Sequence, residues 1–436
     1  MLHLTLRHML AGAIAGGLCV AAWAKAPQKQ WKDRAEYDLV QEINKTAAPA
    51  EKIKLLNSWK EKYPASDFKV ERLTMMITTY HAAQQFPNAF NTAKELIGED
   101  PKGLGGLYWA MFLTITMNNT SPDVLDAGSK AASGFLANAN DIFAADKKPA
   151  QVSDADWKKQ RSDIEALAHT TQGWVAMTKK ELPEAEKHFV KVIELSPGSG
   201  QVSYWLGDVI LKQRNPETQS KALFHFARAG SYDGLGSLDA ARRGQVMSYL
   251  EKVYTSFHGS KEGFAEMVAA AKGNAFPPDG FKIESAAELA LKNKEKFVKE
   301  NPMLAMWMEI KDALLAANGN DYFQNSVKGA GLPGGHQGVK KFKGRVVSHK
   351  PAANPKEIVL AISSAETPEV TLTLEEGTTM RGKAEPGTEI EFEGTATAFT
   401  KEPFMLTFEV EKEKILGWPA PAPAKPAAKK KAAKKG

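Results

Sequence analysis

Gly173 and Gly207 stand 34 positions apart, and the same order of side-chain sizes surrounds both. After Gly173 come Ala185, Phe189 and Pro197; around Gly207 come Leu206, Ala222, Phe226 and Ala229, with three extra residues in the turn at Asn215 and Pro216. Small side chains at Gly173 and Ala185 let two antiparallel helices approach closely, Phe189 wedges into the neighbouring helix, and Pro197 cannot continue a helix. One such pair cannot bury its apolar face alone, so a chain that repeats it must stack the copies. If Gly173 and Ala185 face each other, Ala185→Leu overpacks the contact and lowers stability by about 1 to 3 kcal/mol.

This order resembles the tetratricopeptide repeat, and the resemblance implies an all-α solenoid. Weaker copies precede the clear pair. Leu39, Ile43, Leu56 and Pro64 fit one, with Val40 where the glycine belongs, and Tyr80, Ala89, Leu96 and Pro101 fit another. Proline near the helix starts at Pro122, Pro183 and Pro216 is harmless there, and Ser153 with Asp154 and Asp156 reads as a cap for the long helix through Trp157. Helices are expected over residues 33–320, with 25–32 as a short lead-in. By the same resemblance, the first helix of each repeat lines a concave groove, placing Thr170, Trp174, Met177, Tyr204, Asp208 and Leu211 along it. Trp174 and Tyr204 suit a peptide anchor, since large aromatics offer contact area with few rotors to freeze. Packing of Trp174 on the preceding helix is the competing reading. Thr170 and Trp174 occupy the positions where some repeats clamp a terminal carboxylate, so a C-terminus is not what is read.

The chain's ends carry different signals. An apolar run from Met9 to Trp23, after Arg7 and before a small-residue site at Ala22 to Ala24, reads as a cleaved export signal over residues 1–24; the alternative is an uncleaved anchor, for which the run is short. Cys19, the single cysteine, lies inside it, so the remainder has no thiol or disulfide chemistry. The expected destination is a bacterial periplasm or exterior, with no membrane span after cleavage. Net charge is +6, and Lys425, Lys429, Lys430, Lys431, Lys434 and Lys435 account for all of it. The Pro/Ala/Lys stretch 419–436 has little to bury and reads as a disordered tail, either solubilising or tethering the chain to an anionic polymer.

Residues 321–341 read as a Gly-rich linker; its G-x-G-x-x-G match at Gly329, Gly331 and Gly334 lacks the preceding strand and following helix of a dinucleotide site. From Phe342 the apolar period becomes two: Ile358, Leu360 and Ile362; Val370, Leu372 and Leu374; Ile390 and Phe392; Phe404, Leu406, Phe408 and Val410. With Gly344 to Ser348 this makes five strands over residues 342–418, and the run PGTEIEFEG after two apolar strands resembles OB-fold modules of exported bacterial proteins. The fold class is thus multidomain: a helical solenoid, a small OB-like β-barrel and a basic tail. Glu357, Glu369, Thr371, Thr373, Glu389, Glu391 and Glu393 are expected outward, which argues against nucleic acid as the barrel's ligand.

Catalytic signatures are missing. The nine histidines form no H-E-x-x-H, and no G-x-S-x-G or P-loop lysine occurs. His188 and His225 are expected to be helix-surface or satisfied residues. The sequence therefore reads as a noncatalytic scaffold that needs no cofactor or metal and binds a protein or peptide of unknown identity, the alternative being an anionic-polymer binder.

Overall fold

The computed structural model describes residues 29–420, which fall into two units, one ending at Ala286 and the other starting at Ala287. The expected export signal at 1–24 and the tail lysines from Lys425 to Lys435 lie outside the described residues.

The first unit is a run of antiparallel helices. These are α1 (Arg34–Lys45), α2 (Pro49–Lys62), α3 (Lys69–Ala82), α4 (Phe86–Glu99), α5 (Leu104–Met117), α6 (Pro122–Ile142), α7 (Asp154–Lys179), α8 (Leu182–Leu195), α9 (Gly200–Lys212), α10 (Gln219–Ser231), α11 (Ala240–His258) and α12 (Phe264–Gly273). From α1 to α11 each packs on the next in chain order, as in a tetratricopeptide-like solenoid, while α12 packs back on α10. Ser153 caps α7 by accepting from the Asp156 amide at 3.0 Å, and proline stands in the first turn of α2, α4, α6 and α8.

Buried arginines close other helix ends. Arg72 donates from Nη1 to the carbonyls of Tyr63 (2.7 Å) and Trp59 (3.3 Å) at the end of α2. Arg228 donates to Pro197 (3.1 Å) and to Ala271 (3.2 Å) and Lys272 (2.5 Å) at the end of α12, with its guanidinium 3.9 Å from the Tyr232 ring centre. Except for the Trp59 carbonyl, which also accepts from the Tyr63 amide, the helix-end carbonyls they reach are ones the helix itself leaves open, where the helix dipole also favours a cation.

The 34-residue spacing has the expected cause with a different partner. The residue that abuts Gly173 is Phe189, not Ala185: a Cβ at Gly173 would lie 2.5 Å from the Phe189 ring, and one at Gly207 would lie 3.2 Å from the Phe226 ring and 3.0 Å from the Ala222 carbonyl. An aromatic ring on the second helix therefore rests on bare backbone of the first, because α8 and α10 each present a ring one turn beyond their small residue. Gly173→Val is expected to lower the first unit's stability by about 1 to 3 kcal/mol through overpacking. Gly244, exposed on α11, has nothing within 4 Å of such a Cβ; Gly244→Ala should raise stability by about 0.5 to 1 kcal/mol. Thermal melts of the two variants beside the parent check both signs.

The second unit opens with α13 (Ala286–Glu300), which has no buried residue, and α14 (Pro302–Leu315), followed by a short α15 (Gly319–Tyr322) and a π-helical turn, Phe323–Val327. Strands β1 (Gly331–Leu332), β2 (Phe342–Lys350), β3 (Glu357–Ala361), β4 (Val370–Leu374), β5 (Glu389–Phe392), β6 (Gly394–Lys401) and β7 (Phe404–Val410) form one sheet in the order β1-β6-β7-β4-β3-β2-β5. All neighbours are antiparallel except β4 and β7. Only Glu393 separates β5, at one end of this order, from β6 near the other, so the sheet curls round on itself. Gly394 permits the bend: a Cβ there would lie 2.6 Å from Val410 and 2.8 Å from the Glu409 carbonyl.

Three expectations are corrected here. The solenoid does not run to residue 320. Met306, Trp307, Ile310 and Leu314 of α14, with Phe323 and Val327, join Phe342, Phe392, Leu406 and Phe408 in one core, because α14's apolar stripe covers the sheet. Nor is 321–341 a plain linker, since β1 extends the sheet by pairing with β6, Gly331 opposite Thr395. Seven strands replace the expected five.

Candidate interaction face

The six groove candidates divide by exposure. On α7, Trp174 is 3% exposed and belongs to the main core, so of the two readings of this residue the geometry takes packing. Thr170 is also buried, and its hydroxyl donates back to the Ala166 carbonyl at 2.7 Å. Met177 is half-buried at the end of the same helix. On α9, Tyr204, Asp208 and Leu211 are all partly exposed.

A residue that the repeat spacing missed completes the α9 patch. Tyr249 of α11 is 42% exposed, and its ring stands edge-on to Phe226, centres 5.4 Å apart. Tyr204 meets Phe226 from α9 in the same edge-on manner at 5.5 Å. Phe226 is itself fully buried, so it forms a fixed floor under two partly solvated tyrosines. Asp208 joins them, paired with Lys212 at 2.7 Å. Burial first, then the charge of Asp208 and the neighbouring Tyr204, raises the Tyr249 hydroxyl above the ordinary tyrosine value, which places all three groups in one electrostatic patch. Tyr249 lies 45 positions after Tyr204, and no 34-residue step reaches it.

No protein-family model and no curated protein matches this chain. Solved structures match about half of this chain at low identity. A thermophilic tetratricopeptide repeat protein of Thermus thermophilus matches with 13% identity and a TM-score of 0.28, over 50% of this chain and 97% of that one. PilF of Pseudomonas aeruginosa matches with 14% identity and a TM-score of 0.32, over 54% and 85%. A tetratricopeptide repeat protein of Parabacteroides merdae matches with 13% identity and a TM-score of 0.26, over 56% and 92%.

The expected solvated carboxylates of the curled sheet are partly as read. Glu389 is exposed and paired with Lys343 (2.7 Å) and Arg345 (3.5 Å), whose hydrogen bonds and charge hold it below the ordinary glutamate value. Glu369 is a correction: it is 1% exposed rather than outward. The Trp307 indole and Lys311 of α14 cover the position that alternation assigned to solvent. His225 is corrected as well. Its ring is buried in α10 against Phe276, and Nδ1 has no hydrogen-bond partner.

Among the described residues no group of three or more histidine, cysteine or acidic side chains gathers as metal ligands, and no helix is long and apolar enough to cross a membrane.

Proposed function

We propose that this chain is a noncatalytic scaffold of the bacterial cell envelope that holds a protein or peptide partner on the first-helix face of its solenoid. The observation that carries the reading is the patch of Tyr204, Tyr249 and Asp208 over the Phe226 floor. Rigid, partly solvated aromatics with an acid beside them are the composition of an interaction hot spot, because they bury much area while freezing few rotors. The apolar run 9–23 supports export, and cysteine-free residues beyond it suit an oxidising compartment. The parallel pairing of β4 with β7 and the continuous bent stretch 389–401 support an OB-type barrel.

A photo-crosslinking residue placed at 249 tests the reading. It should yield a discrete protein adduct in envelope preparations, lost when Tyr204 is changed to alanine, while the same residue at exposed position 221 on α10 yields none. Equal labelling from both positions would overturn it. The lysine cluster at 425–435 favours the second reading, an anionic-polymer binder. Polymer affinity that collapses on deleting 425–436, with a steep salt slope, would select it.

A further inference from the structure

His169 on α7 and His188 on α8 point their Nδ1 atoms at one another across the helix pair, 2.9 Å apart. With ring centres 5.2 Å apart the two nitrogens meet end-on, the geometry of a single N–H···N hydrogen bond. Only one ring can supply the proton between them, since two lone pairs or two N–H groups at that distance repel. Glu184, four residues before His188, decides which. Its Oε1 lies 3.2 Å from His188 Nε2, and it also binds Lys187, whose hydrogen bond holds the carboxyl below the ordinary glutamate value. An ionised carboxylate only accepts, so His188 carries its proton on Nε2 and offers a lone pair at Nδ1. His169 therefore donates from Nδ1, and its Nε2 carries no proton. The result is a relay from Glu184 through His188 to His169 that ties α8 to α7.

We infer that this pair is an acid-operated fastener between α7 and α8, kept closed by its first added proton and opened by its second. The first proton from solvent adds to Nε2 of His169. The bond at Nδ1 stays, and with a charged donor it is stronger. A second proton has only His188 Nδ1 to take, the acceptor of that bond. Two N–H groups on two imidazoliums would then face each other with nothing to accept, so the rings must part. Both rings already reach solvent in part, so the opening is local and leaves the apolar packing of the helices in place. The charges that act on the rings most stand on these same two helices. Glu165 of α7 and Glu194 of α8 favour a cation at His169, against Lys191 and the other ring; Glu184 favours one at His188, against Lys187. Burial is the largest influence on both and holds each ring below the ordinary 6.5. Below 6.5 the unfolded chain thus binds more protons than the folded one, so the pair's contribution to stability is full above 6.5 and is lost as pH falls.

Nuclear magnetic resonance of the full chain, with 15N in its histidine rings and the signals assigned through His169→Gln and His188→Gln, tests the inference. At pH 7 His169 should show the Nδ1–H tautomer and His188 the Nε2–H tautomer. As pH is lowered His169 should become imidazolium first with His188 still neutral, and His188 should follow in a separate, lower step. Denaturant melts of the parent, His169→Ala, His188→Ala and the double variant across the same pH series should give a favourable coupling that survives the first step and disappears with the second. Glu184→Gln, whose side-chain carbonyl still accepts from Nε2–H, should keep both tautomers and move the second step to lower pH, because no carboxylate then supports the His188 cation. Rings that titrate independently, His188 protonating first, or a coupling unchanged across both steps would overturn the fastener and leave the pair an interhelical contact that acid does not operate.

Discussion

Glu369→Ala is expected to lower the stability of the second unit by about 3 to 5 kcal/mol, because it deletes the buried, multiply hydrogen-bonded partner of an ion pair whose lysine is only partly exposed. The Glu369 carboxylate accepts from the indole Nε1 of Trp307 at 3.2 Å and from the amides of Ile362 (3.0 Å) and Ser363 (2.6 Å), and it also receives the Ser363 hydroxyl and the Lys311 ammonium. Burial alone would raise its pKa. The bonds from Lys311 and Ser363 more than offset this, and the group sits below the ordinary glutamate value. Removing it strands an indole N–H, two amides and an ammonium near Phe404 at 5.4 Å. The Lys311→Met, Glu369→Leu double variant should recover much of the loss, since apolar side chains of similar volume replace both charges and leave neither unpaired. Calorimetry together with hydrogen exchange of the β4 amides reads both outcomes. A double variant no better than the single one would show that the amides, not the charge pair, dominate.

Much of the architecture was legible because it has local causes. The glycine-to-aromatic spacing at Gly173 and Gly207 records how closely two helices must pack, and the alternation from Phe342 onward records one buried face per strand. What failed was non-local. Glu369 stands on the outward side of its strand by alternation, yet a helix some 60 positions earlier covers it. The same cover explains the misplaced boundary: Met306, Trp307, Ile310 and Leu314 recur at helical spacing, and periodicity shows that a helix has an apolar face without showing which unit receives it. Trp174 illustrates the limit within the repeat, where position along the first helix is right but exposure depends on how the neighbouring helices close around it. Tyr249 was out of reach because the connection after Ala229 departs from the repeat length. The His169–His188 pair exists only once α7 and α8 are folded together.

The first unit should lose about 2 kcal/mol of stability between pH 7 and pH 5 through His225 alone, and His225→Leu should remove that loss. Every residue from Ala222 to Gly230 is buried, so α10 is enclosed, and the His225 imidazole sits in its middle with Nδ1 unpaired. Burial pushes the ring from an ordinary 6.5 down to about 3, and nearby Lys221 pushes the same way. The native state therefore keeps the ring neutral while the unfolded chain takes up a proton below pH 6.5. The unfolded state binds more protons, so stability is full above 6.5 and declines as pH falls toward about 3. Leucine at this position has no proton to gain and leaves no orphaned nitrogen, so at neutral pH it should match or exceed the parent in stability. Denaturant melts at pH 7 and pH 5 for both chains isolate the effect, because other titrating groups cancel in the difference. An identical pH slope in the two chains would mean that the His225 ring reaches water or a partner in the native state. A variant less stable at pH 7 would mean that imidazole shape, not its charge, is what α10 requires.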